Sequence, residues 1–185
     1  MAHPEISAAM PSPRTPTARP TTAAPLYTAE ERRRRDASGW TIVQGVLAPL
    51  QFLAFLVSLG LVLRYLATGE GLGLATTSVV IKTLLLYAIM ITGSLWERDV
   101  FGRYLFARPF FWEDVFSMLV LALHSAYLYS LATGSLAPRE QMYLALAAYA
   151  AYLVNATQFL LKLRAAQRDR TFHAPEAVAV TGVGE

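Results

Sequence analysis

Four long apolar runs, at about 40–63, 72–96, 109–131 and 141–161, divide the chain, and the charged residues gather between and beyond them. Each run exceeds the ~20 residues a helix needs to cross the hydrocarbon core of a bilayer. The first has no charge, and the second is interrupted only by Lys82. "ATGEGLG" and "ATGSLAPRE" are short breaks after the first and third runs, with glycine and proline as stop signals. Pro109 suits the first turn of the third helix. Ahead of the first run, "TAEERRRRD" places Thr28 three residues before Glu31, the spacing of a capping box, so a helix is expected to begin there.

The pattern predicts an all-α integral membrane protein with a four-helix transmembrane domain over 26–166. Residues 1–25 hold six of the ten prolines among Thr, Ser and Ala, which predicts a disordered tail. A second tail is expected at 167–185. Lys and Arg near the span ends count 4, 1, 3, 1 and 4 along the chain (Arg32 to Arg35; Arg64; Arg98, Arg103 and Arg108; Arg139; Lys162, Arg164, Arg168 and Arg170). That alternation predicts both termini and the central block on the cytoplasmic side. The first apolar run is too long for a signal peptide and no small-residue cleavage site follows it. No internal repeat is evident beyond the echo of "WERD" in "FWED".

Polar residues inside the spans recur at helical spacing. Gln44, Gln51 and Ser58 share one face of the first span, and Thr83, Tyr87, Met90, Ser94 and Glu97 form a stripe on the second. Lys82 and Ser78 lie on an adjoining face. Glu113, Ser117, Val120, His124 and Tyr127 align on the third span, and Tyr152, Asn155 and Phe159 on the fourth. Glu113 and His124 stand ~16 Å apart along the axis, too far to share a proton but able to line one cavity. Gln, Ser and Asn in such positions ordinarily bond neighbouring helices. Lys82 is expected to face a partner or a cavity, because an ammonium near mid-bilayer costs about 2.5–3.5 kcal/mol or more; the bland reading is snorkelling. For Glu97, Asp99, Glu113 and Asp114 the bland reading is a solvated helix end, and it weakens when the four are taken together.

Composition narrows the chemistry. The absence of cysteine excludes disulfides, thiolate metal sites and a catalytic thiol. The formal charge of +3 sits beside apolar runs, which suits lipid headgroups and not nucleic acid. His3 and His173 lie in or near the tails, so a haem with two membrane histidines is excluded. No GxSxG, HExxH, phosphate loop or dinucleotide fingerprint occurs. Acid–base chemistry by carboxylates remains, with no bound cofactor. The central block "WERDVFGRYLFARPFFWEDVF" suits a pocket for a flat, hydrophobic ligand bearing a carboxylate. Trp96 and Trp112 would cover its face, arginine its acid, and a carboxylic acid its reacting end.

The stretches "LYTAEERRRRDASGWTIVQGVLAPLQFLAFLVSLGLVLRYL", "KTLLLYAIMITGSLWERDVFGRYLFA" and "FFWEDVFSMLVLALHSAYL" resemble the 3-vinyl bacteriochlorophyllide hydratases of phototrophic bacteria. The resemblance covers about 26–166. It implies addition of water to the C3 vinyl group of chlorophyllide a or bacteriochlorophyllide a, a magnesium chlorin, in a bacterial inner membrane. The residues fit such chemistry with Glu113 as acid and Asp114 or Glu97 as its partner. His124 would bind the substrate's magnesium or hold the water. Arg98, Arg103, Arg108 or Lys82 would hold the propionate, with Asp99 and Tyr87 beside the pocket. The competing class is a non-enzymatic tetrapyrrole carrier or assembly factor, which would need no acid; a transporter lacks a visible inverted repeat. A bundle this thin leaves room for a homo-oligomer, a lipid-facing groove, or contact with other enzymes of the pigment pathway.

Overall fold

The structure, a computed structural model, describes residues 26–173. It holds five α-helices: α1 (Ala29–Ala37), α2 (Gly39–Thr68), α3 (Leu72–Phe101), α4 (Phe111–Thr133) and α5 (Pro138–His173). A single 3-10 turn, Arg108–Phe110, precedes α4 with Pro109 inside it. No strand occurs among the described residues. Four helices, α2 to α5, are long and apolar enough to cross a membrane. Each overruns its expected span by up to a turn or more. The tail expected at 1–25 lies outside the described residues. The one expected from 167 begins inside α5, whose helix continues to His173, and 174–185 lie outside.

The capping box forms as its spacing predicts. Thr28 accepts from the Glu31 amide, and Glu31 reaches back to the Thr28 amide at 2.7 Å. The helix then breaks at Ser38, so α1 is a separate short element. α1 sits across the C-terminal end of α3, where Tyr27 stacks on Phe101 at 5.9 Å and Ser38 donates to Asp99 at 2.9 Å. This end of the bundle is called the head below.

α2 and α3 pair closely, as do α4 and α5; between the two hairpins, α2 meets α5 and α3 meets α4 more sparsely. Inside lie Phe55, Val62, Val79, Tyr127, Met142 and Tyr149. Outside lie Ile42, Leu53, Leu74, Ile91 and Leu160, all well exposed. Such a surface would associate in water and is solvated by hydrocarbon in a bilayer.

The polar faces predicted from periodicity turn inward. Gln44 donates to Thr92 at 2.7 Å, and Ser58 bonds both Ser78 and Tyr149, at 2.8 and 2.6 Å. Tyr87 bonds Ser125 across α3 and α4 at 2.8 Å, and Asn155 donates to Ser117 across α4 and α5 at 2.8 Å. Each of these bonds fixes the register of one helix pair, because an unpaired polar group in hydrocarbon costs several kcal/mol.

Candidate active site

The carboxylates meet at the head. α3 ends when Gly102, at φ 73°, takes the left-handed conformation and its amide bonds Arg98 O at 2.9 Å. The chain then turns back through 103–107 to α4. Phe106 within this turn has φ 60°, a conformation that costs a non-glycine residue about 1–2 kcal/mol. It is held there by Asp114, whose Oδ2 accepts the Phe106 amide at 2.7 Å. The next amide, Ala107, donates to Glu97 Oε2 at 3.2 Å. Two neighbouring amides are thus shared between a carboxyl on α3 and one on α4.

Glu97 and Asp114 are thereby drawn together at the head, each on one of two consecutive amides. Both are almost wholly enclosed, with 5% and 8% of their surface exposed. At the same end of the bundle Trp96, Phe101 and Phe110 pack edge-on or tilted on one another at 5.7–5.9 Å. The result is a pair of enclosed carboxyl groups, each accepting from one of two consecutive backbone amides.

Glu113 has a different partner. Lys162 of α5 lies 2.6 Å from its Oε1 and 2.7 Å from its Oε2, and also donates to Pro109 O. Consecutive helix positions point about 100° apart, so Asp114 faces α3 while Glu113 faces α5. The sequence reading put the acid on Glu113. This geometry favours the Glu97–Asp114 pair instead, with Glu113 held as a salt bridge.

The other candidates are spread along the bundle. Arg98 lies over the Tyr104 ring at 5.1 Å, and Asp99 accepts from Ser38; both are exposed. Trp96 donates through Nε1 to Thr41 at 3.0 Å, whereas Trp112 is 66% exposed on the outer face. Arg103 and Arg108 line a pocket of about 200 Å³ with Glu31, Phe101, Ala107 and Pro109. That is smaller than the ~300–1,000 Å³ of pockets that enclose a drug-sized molecule. Ala107 forms its floor and donates to Glu97, so the pocket adjoins the carboxyl pair. Lys82 and His124 are both fully buried in mid-bundle, far from the head. Tyr87 lies between, on the α3–α4 seam. No cluster of metal-binding side chains occurs among the described residues.

Periodicity did not reveal Lys162 or the 106–107 amides. Asn155, Gln158 and Lys162 stand at i, i+3 and i+7, a spacing that could have marked Lys162 as inward-facing. Main-chain donors have no sequence signal.

Comparison with known proteins agrees with the resemblance. The profile of the family described as 2-vinyl bacteriochlorophyllide hydratase matches residues 27–165. A 2-vinyl bacteriochlorophyllide hydratase of Cereibacter sphaeroides is 66% identical over 145 residues, covering 78% of this chain and 89% of its own length. One of Rhodobacter capsulatus is 66% identical over 142 residues, covering 77% and 82%. No solved structure shows significant similarity. With three quarters of its length matched, the chain belongs to the 2-vinyl bacteriochlorophyllide hydratase family.

Proposed function

We propose that the chain is a multi-pass membrane hydratase that adds water across the vinyl group of chlorophyllide a or bacteriochlorophyllide a, leaving a 1-hydroxyethyl group. The observation that carries the mechanism is the convergence of buried Glu97 and Asp114 on the neighbouring Phe106 and Ala107 amides at the head of α3 and α4, and on this reading one of the two carries a proton at rest. The protonated carboxyl gives its proton to the terminal vinyl CH2. The C=C bond becomes a methyl group and a cation on the ring-attached carbon, conjugated with the macrocycle. Water adds its oxygen to that carbon and returns one proton to the pair. Atoms and charge balance, and the pair is restored. The Phe106 and Ala107 amides, with the Lys162 ammonium nearby, stabilise the extra negative charge between the two steps.

The family membership supports the substrate class, and the alternation of basic loops supports a cytoplasmic head in a bacterial inner membrane. Sparse packing between α3 and α4 suits entry of a flat ring from the lipid side. The pigment's propionate fits the Arg103–Arg108 pocket in size and charge, since neither arginine is in an ion pair among the described residues. Arg98 and Lys82 are less suited: Arg98 lies over Tyr104, and Lys82 is buried in mid-bundle.

The test of function uses membranes from a host that makes no such pigment, expressing this chain alone. They are supplied with the vinyl pigment in ¹⁸O-water, and the product is read by mass spectrometry. A labelled hydroxyethyl product is expected; well-folded protein that yields none would leave the carrier reading standing. For the pocket, Arg108→Gln and Arg103→Gln are expected to raise KM for the free-acid pigment about tenfold, as for a lost charge-assisted contact of ~1.5 kcal/mol. KM for the methyl ester should not change. Equal effects on acid and ester would remove the propionate from this pocket.

A further inference from the structure

The two hairpins meet over a line of buried polar atoms that the acid pair does not use. Gln51 on α2, Lys82 on α3 and His124 on α4 are 2%, 0% and 0% exposed. Among the described residues Gln51 Nε2 and Oε1, Lys82 Nζ and His124 Nε2 have no hydrogen-bond partner, and neither do the buried Asn155 Oδ1 and Gln158 Oε1 of α5. Every spanning helix contributes at least one such atom. Buried polar atoms are satisfied in folded proteins in the great majority of cases, and in hydrocarbon the need is greater.

Lys82, His124 and Gln51 gather around one cluster of aromatic rings. Lys82 Nζ lies 4.3 Å from the Tyr152 ring centroid and 5.3 Å from that of Tyr149. His124 packs on the same Tyr149 ring at 5.8 Å. Its Nδ1 lies 2.8 Å from Val120 O, which can only accept, so Nδ1 carries a proton, and in the neutral imidazole Nε2 is then the acceptor. Gln51 stands one turn from Phe55, which contacts Tyr149 and Tyr152 at 5.5 and 5.1 Å. Asn155, bonded to Ser117, and then Gln158 follow along α5 towards Lys162, which holds Glu113 at the head. Asp114 and His124 are ~15 Å apart along α4.

The donor–acceptor composition identifies the occupant. Lys82 donates, His124 Nε2, Asn155 Oδ1 and Gln158 Oε1 accept, and Gln51 does both. A carboxylate or a ring carbonyl would serve Lys82 and leave the acceptors unpaired. Water donates and accepts in several directions and so can serve both kinds of group. We propose that these residues hold a column of internal water reaching from mid-bundle to the Glu97–Asp114 pair. On the hydratase reading, on which this role rests, the column stores the second substrate where lipid excludes bulk solvent. Of the two roles considered for His124, it takes the water.

X-ray radiolytic hydroxyl-radical labelling of the pigment-free protein in lipid nanodiscs tests the column without any turnover. Radicals form from water at the site, so buried Tyr149 is expected to be labelled in the native chain and protected in Lys82→Met. Gln51→Leu, which adds no charge change, serves as the second variant, and exposed Tyr104 at the head reports equal dose in all. An unlabelled Tyr149 beside a labelled Tyr104 in the native chain would overturn the proposal. In turnover, Lys82→Met is expected to lower kcat about tenfold or more with KM unchanged, as for a misplaced reactant. A raised KM at unchanged kcat would give the site to the pigment and overturn the water assignment. A labelled Tyr149 in a protein without hydratase activity would keep the column and sink the hydratase reading alone.

Discussion

Asp114→Asn is expected to lower the hydration rate by about 10²–10⁴-fold, the usual contribution of a positioned acid–base group. The amide keeps the side chain's shape, and its oxygen can still accept the Phe106 amide, as Asp114 Oδ2 does at 2.7 Å. The strained Phe106 turn therefore survives. What is lost is a carboxyl that can carry a proton at position 114 and take one back from water. Glu97→Gln is expected to act alike, and the double variant to be scarcely worse than either, because residues acting as one unit are not additive. The ¹⁸O product assay measures all three. Single variants that retain more than about a tenth of native turnover would remove the pair from the chemistry.

Glu113→Gln is expected to act mainly on stability. It leaves the Lys162 ammonium without its carboxylate in a site where the two side chains are 27% and 12% exposed. Breaking a fully buried pair from one side costs about 3–5 kcal/mol, and the partial exposure here reduces that to about 1–3 kcal/mol. Lys162→Met is expected to destabilise similarly, with some loss of rate because it also removes a cation near Asp114. The double variant Glu113→Gln with Lys162→Met should be more stable than the sum of the two predicts. Denaturant unfolding in mixed micelles gives the coupling energy. Strict additivity would mean that the pair contributes nothing, and loss of all turnover in stably folded Glu113→Gln would return the acid to Glu113.

The contrast between these variants has a local cause. Glu113 and Asp114 are neighbours in a helix whose first turn lies at the head, so both are near the interface by sequence alone. Their directions differ by about 100°, and α4 has α3 on one side and α5 on the other. One carboxyl therefore finds another carboxyl, and its neighbour finds an ammonium. Carboxyl pair and salt bridge emerge from identical local chemistry.

Much of the fold was readable without coordinates, because the signals are local. Span lengths follow from bilayer thickness. The capping box at Thr28 and Glu31, the inward face of Gln44, Gln51 and Ser58, and the buried Lys82 follow from helical period and the cost of polar groups in lipid. So does the presence of carboxyls at the ends of α3 and α4 that meet. Pairing was not readable. Which carboxyl meets which depends on the rotation of each helix about its axis, and that is set by long-range contacts such as Tyr87 with Ser125 and Asn155 with Ser117. The left-handed Phe106 and the two amides it helps present arise because the turn must close between two helices already held in place. The sequence by itself determined four spanning helices, their polar faces and the residues available for acid–base work. Only the tertiary structure decided that Glu97 joins Asp114 and Lys162 takes Glu113, because angular position on packed helices is a property of the bundle and not of any one segment.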